Sequence, residues 1–560
     1  MTFNKVVFDI ETTMTADKIW CIVCKHNDTY YQFREDKLNR FEEFIKQTDE
    51  VIGHNIIGFD IPVINKLFGY DLFKHCKITD TLILSRLLSP VMEGGHSLKN
   101  WGTKLGQNKI DFEQFDFFSE EMLTYCRNDV DLTQKLYKFL IKRTADFGDS
   151  IELEHEVAKI IQKQHERGFK IDIVEANMLQ AKFQEDMNNL QSKVRETFPP
   201  LKIETEFIPK SNNKTRGYVK GVPFIKVKYK EFNLGSRQQI AERLVLLGWK
   251  PKKKTDKGHI IVDEKVLSQI KNIPEADLIK KFLTLQKRIA QVNSWIEATR
   301  EDGRVHGKVI TNGTITGRMS HQSPNMAQVP AVYSPYGKEC RGLWVVNKKN
   351  KLVGVDASGL ELRMLAHYMN DKDYIHEIVN GDIHTTNQIA AGLESRDESK
   401  TFIYAFIYGA GSKKIGSIIG GNERDGDRVK EKFLRATPSL RRLREKVDGV
   451  SKKRWIRGLD QRRIIIRHPH AALNTLLQGA GSCVMKKALT LLDKNVITKQ
   501  IKAFPVVNVH DEFQYEVEES RAEEFGKLAV QSIIDAGKQL NIRCPLDGKY
   551  KVGNNWAETH

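Results

Sequence analysis

Cysteine is scarce in this sequence, seven among 560 residues, and the number is odd. That does not read as a disulfide framework; a reducing cytoplasm suits it better. Long apolar runs are missing too. No stretch approaches the ~20 uninterrupted apolar residues of a membrane-spanning helix, which excludes a transmembrane protein. The opening segment carries Asp9 and Glu11 where a signal peptide needs a longer apolar run. Internal repeats and low-complexity tracts are absent. What is present is length and core material. At roughly 100–200 residues per domain the chain predicts several domains. A hydrophobic content of 40% with seven tryptophans argues against disorder.

Positive charge is plentiful and unevenly placed. Lys+Arg 89 against Asp+Glu 72 gives a net +17. Residues 1–150 hold 19 basic and 23 acidic residues, a balance of −4, so the remainder holds 70 and 49, or +21. A basic body behind a mildly acidic N-terminal unit suggests a polyanion partner for the body. A solvated basic surface with no partner is the plainer alternative.

The first 140 residues read as α/β. Strand patterns at Val6–Ile10, Ile19–Val23 and Tyr30–Phe33 precede helical patterns at Arg40–Gln47, Ile61–Leu67, Thr81–Leu88 and Ser119–Lys142. A long helical pattern spans Ile151–Thr197. It breaks between Pro200 and Lys230 into an irregular or hairpin-bearing insertion with eight basic and two acidic residues, a balance of +6. Helical patterns resume at Ser236–Leu247 and Ile273–Thr299, and after Gly303 the chain is mixed α/β.

Asp9 and Glu11 sit two apart on the first expected strand, so both carboxylates face one side. Asp60 follows an apolar stretch, and Asp129 lies four residues after Tyr125 on a helical pattern, placing phenol and carboxylate on one face. Four carboxylates converging without His or Cys would attract hard cations such as Mg²⁺. A metal pair about 3.5–4 Å apart can activate water and stabilise the leaving oxygen of a phosphodiester. Any one acid alone reads as a surface residue or helix cap; the ordered set does not. The set resembles the DEDD-type 3′–5′ exonucleases of the subclass with a tyrosine in the last motif. That resemblance implies metal binding by Asp9, Glu11, Asp60 and Asp129, with Tyr125 orienting the attacking water. Cys21-Ile22-Val23-Cys24 imitates a redox motif but lies in a strand pattern with no second cysteine pair. It reads as buried strand cysteines.

In the body, Lys351–Ser358 is an apolar strand delivering Asp356, and Val506–Glu512 is a β-rich run delivering Asp511 and Glu512. Between them Arg396, Lys400, Tyr404 and Tyr408 recur every four residues, one slanted helical stripe over three turns. The stripe is cationic at one end and aromatic at the other, complementary to a triphosphate and a base. Phe402 and Phe406 read as the face buried in the core.

These segments, with Thr316-Gly317-Arg318, Ser323–Pro330, Asp356–Arg363, Gly381–Thr385, His470–Gln478 and His510-Asp511-Glu512, resemble the family A, DNA polymerase I-type DNA polymerases. The resemblance is to the short-tailed, T-odd phage replicative branch and runs through essentially the whole chain. It implies an α/β multidomain fold: a ribonuclease H-like DEDD exonuclease domain followed by a right-hand polymerase of palm, fingers and thumb. The expected bounds are 1–145 for the exonuclease, 146–302 for the thumb with its basic insertion near 200–230, and 303–560 for palm and fingers. Within the last, the fingers span about 385–480 and the palm's catalytic strands about 350–365 and 503–518.

The implied chemistry is template-directed DNA synthesis with 3′–5′ proofreading. Asp356 and Asp511 would hold two Mg²⁺ ions, with Mn²⁺ as substitute, and the Ala357 carbonyl would complete one site. Glu512 would lie beside the metals. His384, Arg396 and Lys400 would grip the triphosphate, and Glu361 would exclude a ribose hydroxyl. Tyr404 would contact the sugar near its 3′ end, which implies tolerance of dideoxynucleotides, and Tyr408 would stack near the templating position. Arg318 and Gln478, with His510 beside them, would meet DNA at the primer terminus, reading minor-groove acceptors common to all correct pairs. The basic runs Lys452-Lys453-Arg454, Gln461-Arg462-Arg463 and Lys252-Lys253-Lys254 read as phosphate contacts.

The implied partners are primer-template DNA, dNTPs, a phage helicase-primase and a single-stranded-DNA-binding protein, in the cytoplasm of an infected bacterium and with no membrane. In the best-known member of the branch a long thumb insertion recruits host thioredoxin. The corresponding stretch here is short, which puts thioredoxin in doubt and suggests direct duplex contact or a smaller partner. Competing readings fare worse. Glu361 and the nuclease set argue against a single-subunit RNA polymerase, six retained acids against an idle scaffold, and Gly409–Lys414 lacks the spacing of a P-loop motor.

Overall fold

The computed structural model describes residues 3–34, 37–69, 71–255 and 257–560. They fall into two compact units. The first takes in the chain up to Lys170, His306–Gln328 and Val345–His560; the second takes in Ile171–Val305 and Val329–Trp344.

The apolar run at Val6–Ile10 becomes the strand Val6–Thr12, buried on both faces, and such a strand belongs inside a sheet. It is the middle of five. The order across the sheet is Thr29–Arg34, Ile19–His26, Val6–Thr12, Glu50–Gly53 and Lys77–Asp80. The first two pairings are antiparallel and the last two parallel, the mixed sheet of a ribonuclease H-like domain. Phe8 and Ile10 enter a core with Phe41 and Phe44 on one face. Val7 packs on the other with Met122, Cys126 and Val130 of the helix Glu120–Arg143. Asp9 and Glu11 share the face of Val7, so alternation alone aims both carboxylates at that helix. Cys21 and Cys24 are buried and free, as read from the sequence.

A second sheet has four antiparallel strands, in the order Ala503–Val509, Glu512–Glu518, Asn350–Ala357 and Gly548–Gly553. Its two inner strands place Asp356 opposite Glu512. The helices Ala472–Thr498 and Ala522–Gln539 pack together, and the latter lies against the sheet. The helix Arg396–Ile407 starts with a capping box in which Ser395 and Glu398 each take the other's backbone N–H. Its Phe402 and Phe406 are buried against Phe433, as expected.

The helix Ser150–Arg167 braces the first unit. Its Glu154 is fully buried and ion-paired with Lys486 and Arg462, while Arg462 also holds Asp460. Two cations and two carboxylates meet there, Glu154 Oε1 taking both cations while its Oε2 stays buried without a partner, and removing one member typically costs about 3–5 kcal/mol. Arg462 is therefore an internal strut rather than a phosphate contact, because its guanidinium is closed off from solvent. Lys452, Lys453 and Lys252–Lys254 are exposed.

The continuous helical pattern expected over Ile151–Thr197 is interrupted. Gly168 adopts φ 63°, where an added Cβ would lie 2.9 Å from the His306 ring, and the strand Phe169–Ile171 follows before the helix Ile173–Thr197. In the second unit that helix packs along Glu275–Glu297. The expected hairpin is present as Leu201–Phe207 paired with Phe224–Lys230, its side chains largely exposed on both faces.

Two candidate carboxylate sites

The first site gathers Asp9, Glu11, Asp60, Tyr125 and Asp129. Asp60 opens the helix Asp60–Phe68, and its Oδ1 accepts the Ile10 N–H at 3.3 Å. Asp80, which the sequence reading missed, fixes that loop: its carboxylate accepts the N–H groups of Asn55 at 2.8 Å and Ile57 at 3.1 Å while capping the helix Thr81–Leu88. Its own N–H donates to His155 Nε2 at 2.8 Å, tying the loop to the bracing helix. An acid just before a helical pattern is a readable cap, but nothing in the sequence shows what else it holds.

Crowded acids in a dry site resist ionisation. Burial, then Asp60 and Glu11, push Asp9 well above the usual carboxylate range. Burial, with Cys21 and Asp129 nearby, pushes Glu11 up to about 9, and burial lifts Asp60 to about 7. Burial raises Asp129 as well, against the pull of Lys109. Lys109, ion-paired with Asp129, supplies one positive charge against four carboxyls, and a divalent ion would supply the rest. The oxygens fit one: Asp9 and Glu11 offer carboxylate atoms within 4.8 Å of each other and Asp129 Oδ1 is buried with no partner, while the Cys126 thiol beside them is kept protonated by burial and is no ligand for a hard ion. Lys109 and Cys126 are further residues the sequence reading did not find. Lys109 lies in an irregular segment with no periodicity, and Cys126 reads as core.

The second site forms where the inner strands of the second sheet end. Asp356 sits near a strand end, exposed as a residue but with its carboxyl crowded by its neighbours. Burial of its carboxyl, then Asp511 and Glu512, raise it to about 6, and burial raises Asp511 too. Asp511 follows His510, whose φ of 56° makes the tight turn between the strands Ala503–Val509 and Glu512–Glu518. The Asp511 carbonyl accepts the Ala357 N–H at 3.1 Å. Glu512 is occupied otherwise. Its Oε1 accepts from Gln514 Nε2 and Trp556 Nε1, both at 2.6 Å, and His560 Nδ1 lies 3.0 Å from Oε2. The three supporting residues carry no sequence pattern.

Beside these acids, Glu361 begins the helix Leu360–Met369. Tyr408 Oη donates to both its oxygens at 2.9 Å and Arg318 to one at 3.1 Å. Tyr404 packs against the core near His384, the rings 6.5 Å apart. His384 Nδ1 is buried without a partner, and burial, then Arg396, lower its pKa. Arg396 meanwhile pairs with Asp382 at 2.6 Å, another residue given no role from sequence. The Ser482 hydroxyl, one turn beyond the half-buried Gln478, donates to the Gly317 carbonyl at 2.8 Å and ties that helix to Arg318. His510 and Arg318 line one small pocket. Lys400, exposed one turn beyond Arg396 on the same helix, acts on His384 through its charge.

Residues 220–558 match the family described as DNA polymerase family A. The DNA-directed DNA polymerases of Enterobacteria phage T3 and Escherichia phage T7 are 33% and 34% identical, covering 99% of this chain and 100% of theirs.

This chain belongs to DNA polymerase family A.

It is a template-directed DNA polymerase of the phage T7-like kind. The fold agrees: the POL domain of Pol1 from M. smegmatis, solved with DNA primer-template and dNTP, superposes with a TM-score of 0.82 over 99% of this chain and 95% of that one, at 17% identity. Both phage alignments run over 708 positions against the 560 residues of this polymerase, so those relatives carry segments it lacks. Family A polymerases use divalent metal, typically Mg²⁺, in keeping with two clusters of acids. No helix among the described residues of this polymerase is long and apolar enough to cross a membrane.

Proposed function

We propose that the polymerase works through two separable centres, a nucleotidyl-transfer site at Asp356 and Asp511 and a proofreading 3′–5′ exonuclease at Asp9, Glu11, Asp60 and Asp129. The observation that carries this is the convergence of two independent carboxylate groups, each raised in pKa by burial and by its own members.

At the first centre Asp356, Asp511 and the Ala357 carbonyl would hold two Mg²⁺ ions, for which Mn²⁺ could substitute. When bound, the ions lower the pKa of the primer 3′-hydroxyl and neutralise charge developing on pyrophosphate. The protein does the positioning. His384, Arg396 and Lys400 clamp the triphosphate, Arg396 leaving Asp382 to do so. Glu361, held by Tyr408 and Arg318, walls off the ribose 2′-hydroxyl. Tyr404 faces the sugar, and Arg318, His510 and Gln478 meet the minor groove at the primer end. Glu512 is a support, since Gln514, Trp556 and His560 already fix both its oxygens.

At the second centre the four acids would hold the ions and Tyr125 would orient the water. The segment up to about residue 145 is the exonuclease, and the thumb, expected over 146–302, is drawn in to the second compact unit, because the chain up to Lys170 groups with the first unit and Val329–Trp344 with the second; the rest forms palm and fingers. The exposed, lysine-rich hairpin Leu201–Lys230 contacts duplex DNA in place of a thioredoxin clamp. Primer-template DNA and dNTPs are the substrates, a helicase-primase and a single-stranded-DNA-binding protein the replication partners, and the cytoplasm of the infected bacterium the setting.

One assay tests the division: a mismatched primer-template with Mg²⁺ and dNTPs. Asp356→Ala should abolish extension and keep degradation, and Asp9→Ala should do the reverse. Loss of both activities in either folded variant would refute two separable centres.

A further inference from the structure

The nuclease cluster contains one cation in direct contact. Lys109 Nζ is ion-paired with Asp129 Oδ2 and sits 4.6 Å from the centre of the Tyr125 ring. It therefore touches two of the five residues assigned to that centre. Its charge lowers the pKa of Asp9, Glu11 and Asp129, and its hydrogen bond draws down that of Tyr125.

A lysine here could simply pin its loop to the helix. The loop, however, is anchored without it. Gln107 N–H donates to the Gly102 carbonyl at 3.0 Å, an approach that a Cβ on residue 102 would block at 2.6 Å. Ile110 N–H donates to Asn128 Oδ1 at 3.2 Å, and the Phe112 ring stacks on Tyr125 with centroids 5.3 Å apart. Anchors on both sides of Lys109 hold the backbone, so the side chain is free for another task. Its direction is set: about a quarter of it is exposed, and the ammonium reaches inward to Asp129.

We propose that Lys109 is a substrate-facing catalytic cation of the nuclease centre. It rests on the reading of Asp9, Glu11, Asp60 and Asp129 as that centre. Lys109 occupies Oδ2 of Asp129 and leaves Oδ1, buried and unpartnered, for a divalent ion. An ammonium carries three donors; Asp129 takes one and the Tyr125 hydroxyl a second. The third is left for the scissile phosphodiester, which must come close to Tyr125 to meet the water that Tyr125 orients. There Lys109 donates to a non-bridging oxygen of the phosphate. In the reaction the water oxygen bonds to phosphorus. The phosphorus–O3′ bond breaks with its electron pair on O3′, which takes up a proton, while the water gives one up to solvent. Lys109 stays protonated throughout and offsets the charge that builds on the phosphate oxygens, a contribution specific to the transition state.

The test uses the full chain carrying Lys109→Met and Lys109→Arg, with Asp9→Ala as reference. Three quantities are read: exonuclease kcat and KM on single-stranded DNA, Mn²⁺ affinity of the nucleotide-free protein by calorimetry, and primer extension. Lys109→Met should lower exonuclease kcat by about tenfold or more with KM little changed. Mn²⁺ should bind the variant at least as tightly as wild type, because a repelling cation has gone, and extension should persist as proof of folding. Lys109→Arg should recover part of kcat. An unchanged kcat in Lys109→Met, or a kcat loss matched by weakened Mn²⁺ binding, would overturn the proposal in favour of no role or a purely structural one. If Lys109→Met fails to extend primers, Lys109→Arg decides, and full loss of its exonuclease with normal Mn²⁺ binding and extension would also count against a cation acting through charge. Should Asp9→Ala keep its exonuclease, it is the reading of the centre that fails, not the role of Lys109 alone.

Discussion

The two carboxylate centres solve one problem in different surroundings. The nuclease acids are enclosed. Glu11, Asp60 and Asp129 are buried, three separate elements deliver the set, and Lys109 is the single cation ion-paired with it among the described residues. The polymerase acids stand at an open strand end, Asp356 near the end of one strand and Asp511 in the turn between two others, with Asp356 exposed and raised only to about 6. The enclosed centre can offer an ion four protein carboxylates. The open one offers two and a carbonyl, and leaves the remaining positions to a triphosphate that arrives with the chemistry. On the proposed roles, burial would separate a site complete in the protein from one completed by its substrate.

The two centres also share a brace, and breaking it should erase the contrast. Lys486→Met leaves Glu154 buried beside Arg462 alone and should cost about 3–5 kcal/mol, lowering thermal stability and both activities together. Perturbations on one side should sharpen the contrast. Glu361→Ala removes the partner of Tyr408 and Arg318 and opens the sugar wall. Discrimination against ribonucleotides should fall by about 10–100-fold in competitive incorporation, with exonuclease unchanged. Tyr404→Phe, which deletes one hydroxyl near the sugar, should reduce dideoxynucleotide incorporation by about tenfold, near 1 kcal/mol for a lost hydrogen bond. Unaltered incorporation would contradict the place given to that hydroxyl.

The smallest effect belongs to the link between brace and nuclease. His155 is buried and accepts a hydrogen bond from Asp80, and burial lowers its pKa. A depressed histidine gives stability that is full above the ordinary value near 6.5 and lost as pH falls below it, because the unfolded chain takes up the proton first. Between pH 7.5 and 5.5 wild type should lose about 1 kcal/mol more than His155→Gln, measured by denaturant unfolding at each pH.

How much of this was legible in the sequence follows the same division. Short-range patterns carried well. Alternation placed Asp9 and Glu11 on one face, four-residue spacing placed Tyr125 beside Asp129 and built the stripe from Arg396 to Tyr408, and Phe402 and Phe406 are core. What failed to show were long-range contacts. The strands Glu50–Gly53 and Lys77–Asp80 are four residues each, too short for a period to emerge. Asp80 reads only as a cap, although it also fixes the Asp60 loop. Lys109 sits in a segment without periodicity, and Arg462 looked like a surface charge because its partners Glu154 and Asp460 meet it only in the fold. The Gly168 break was legible, since the glycine is followed by Phe169-Lys170-Ile171-Asp172-Ile173, a strand-favouring run that the long helical pattern overrode.

The measurement that tests the contrast most directly is calorimetric Mn²⁺ binding to the nucleotide-free protein and its variants. The account predicts that Asp9→Ala loses the tightest binding while Asp356→Ala keeps it, and that a non-hydrolysable dNTP with primer-template adds binding that only Asp356→Ala lacks. Tight Mn²⁺ binding that survives Asp9→Ala and disappears in Asp356→Ala would contradict it.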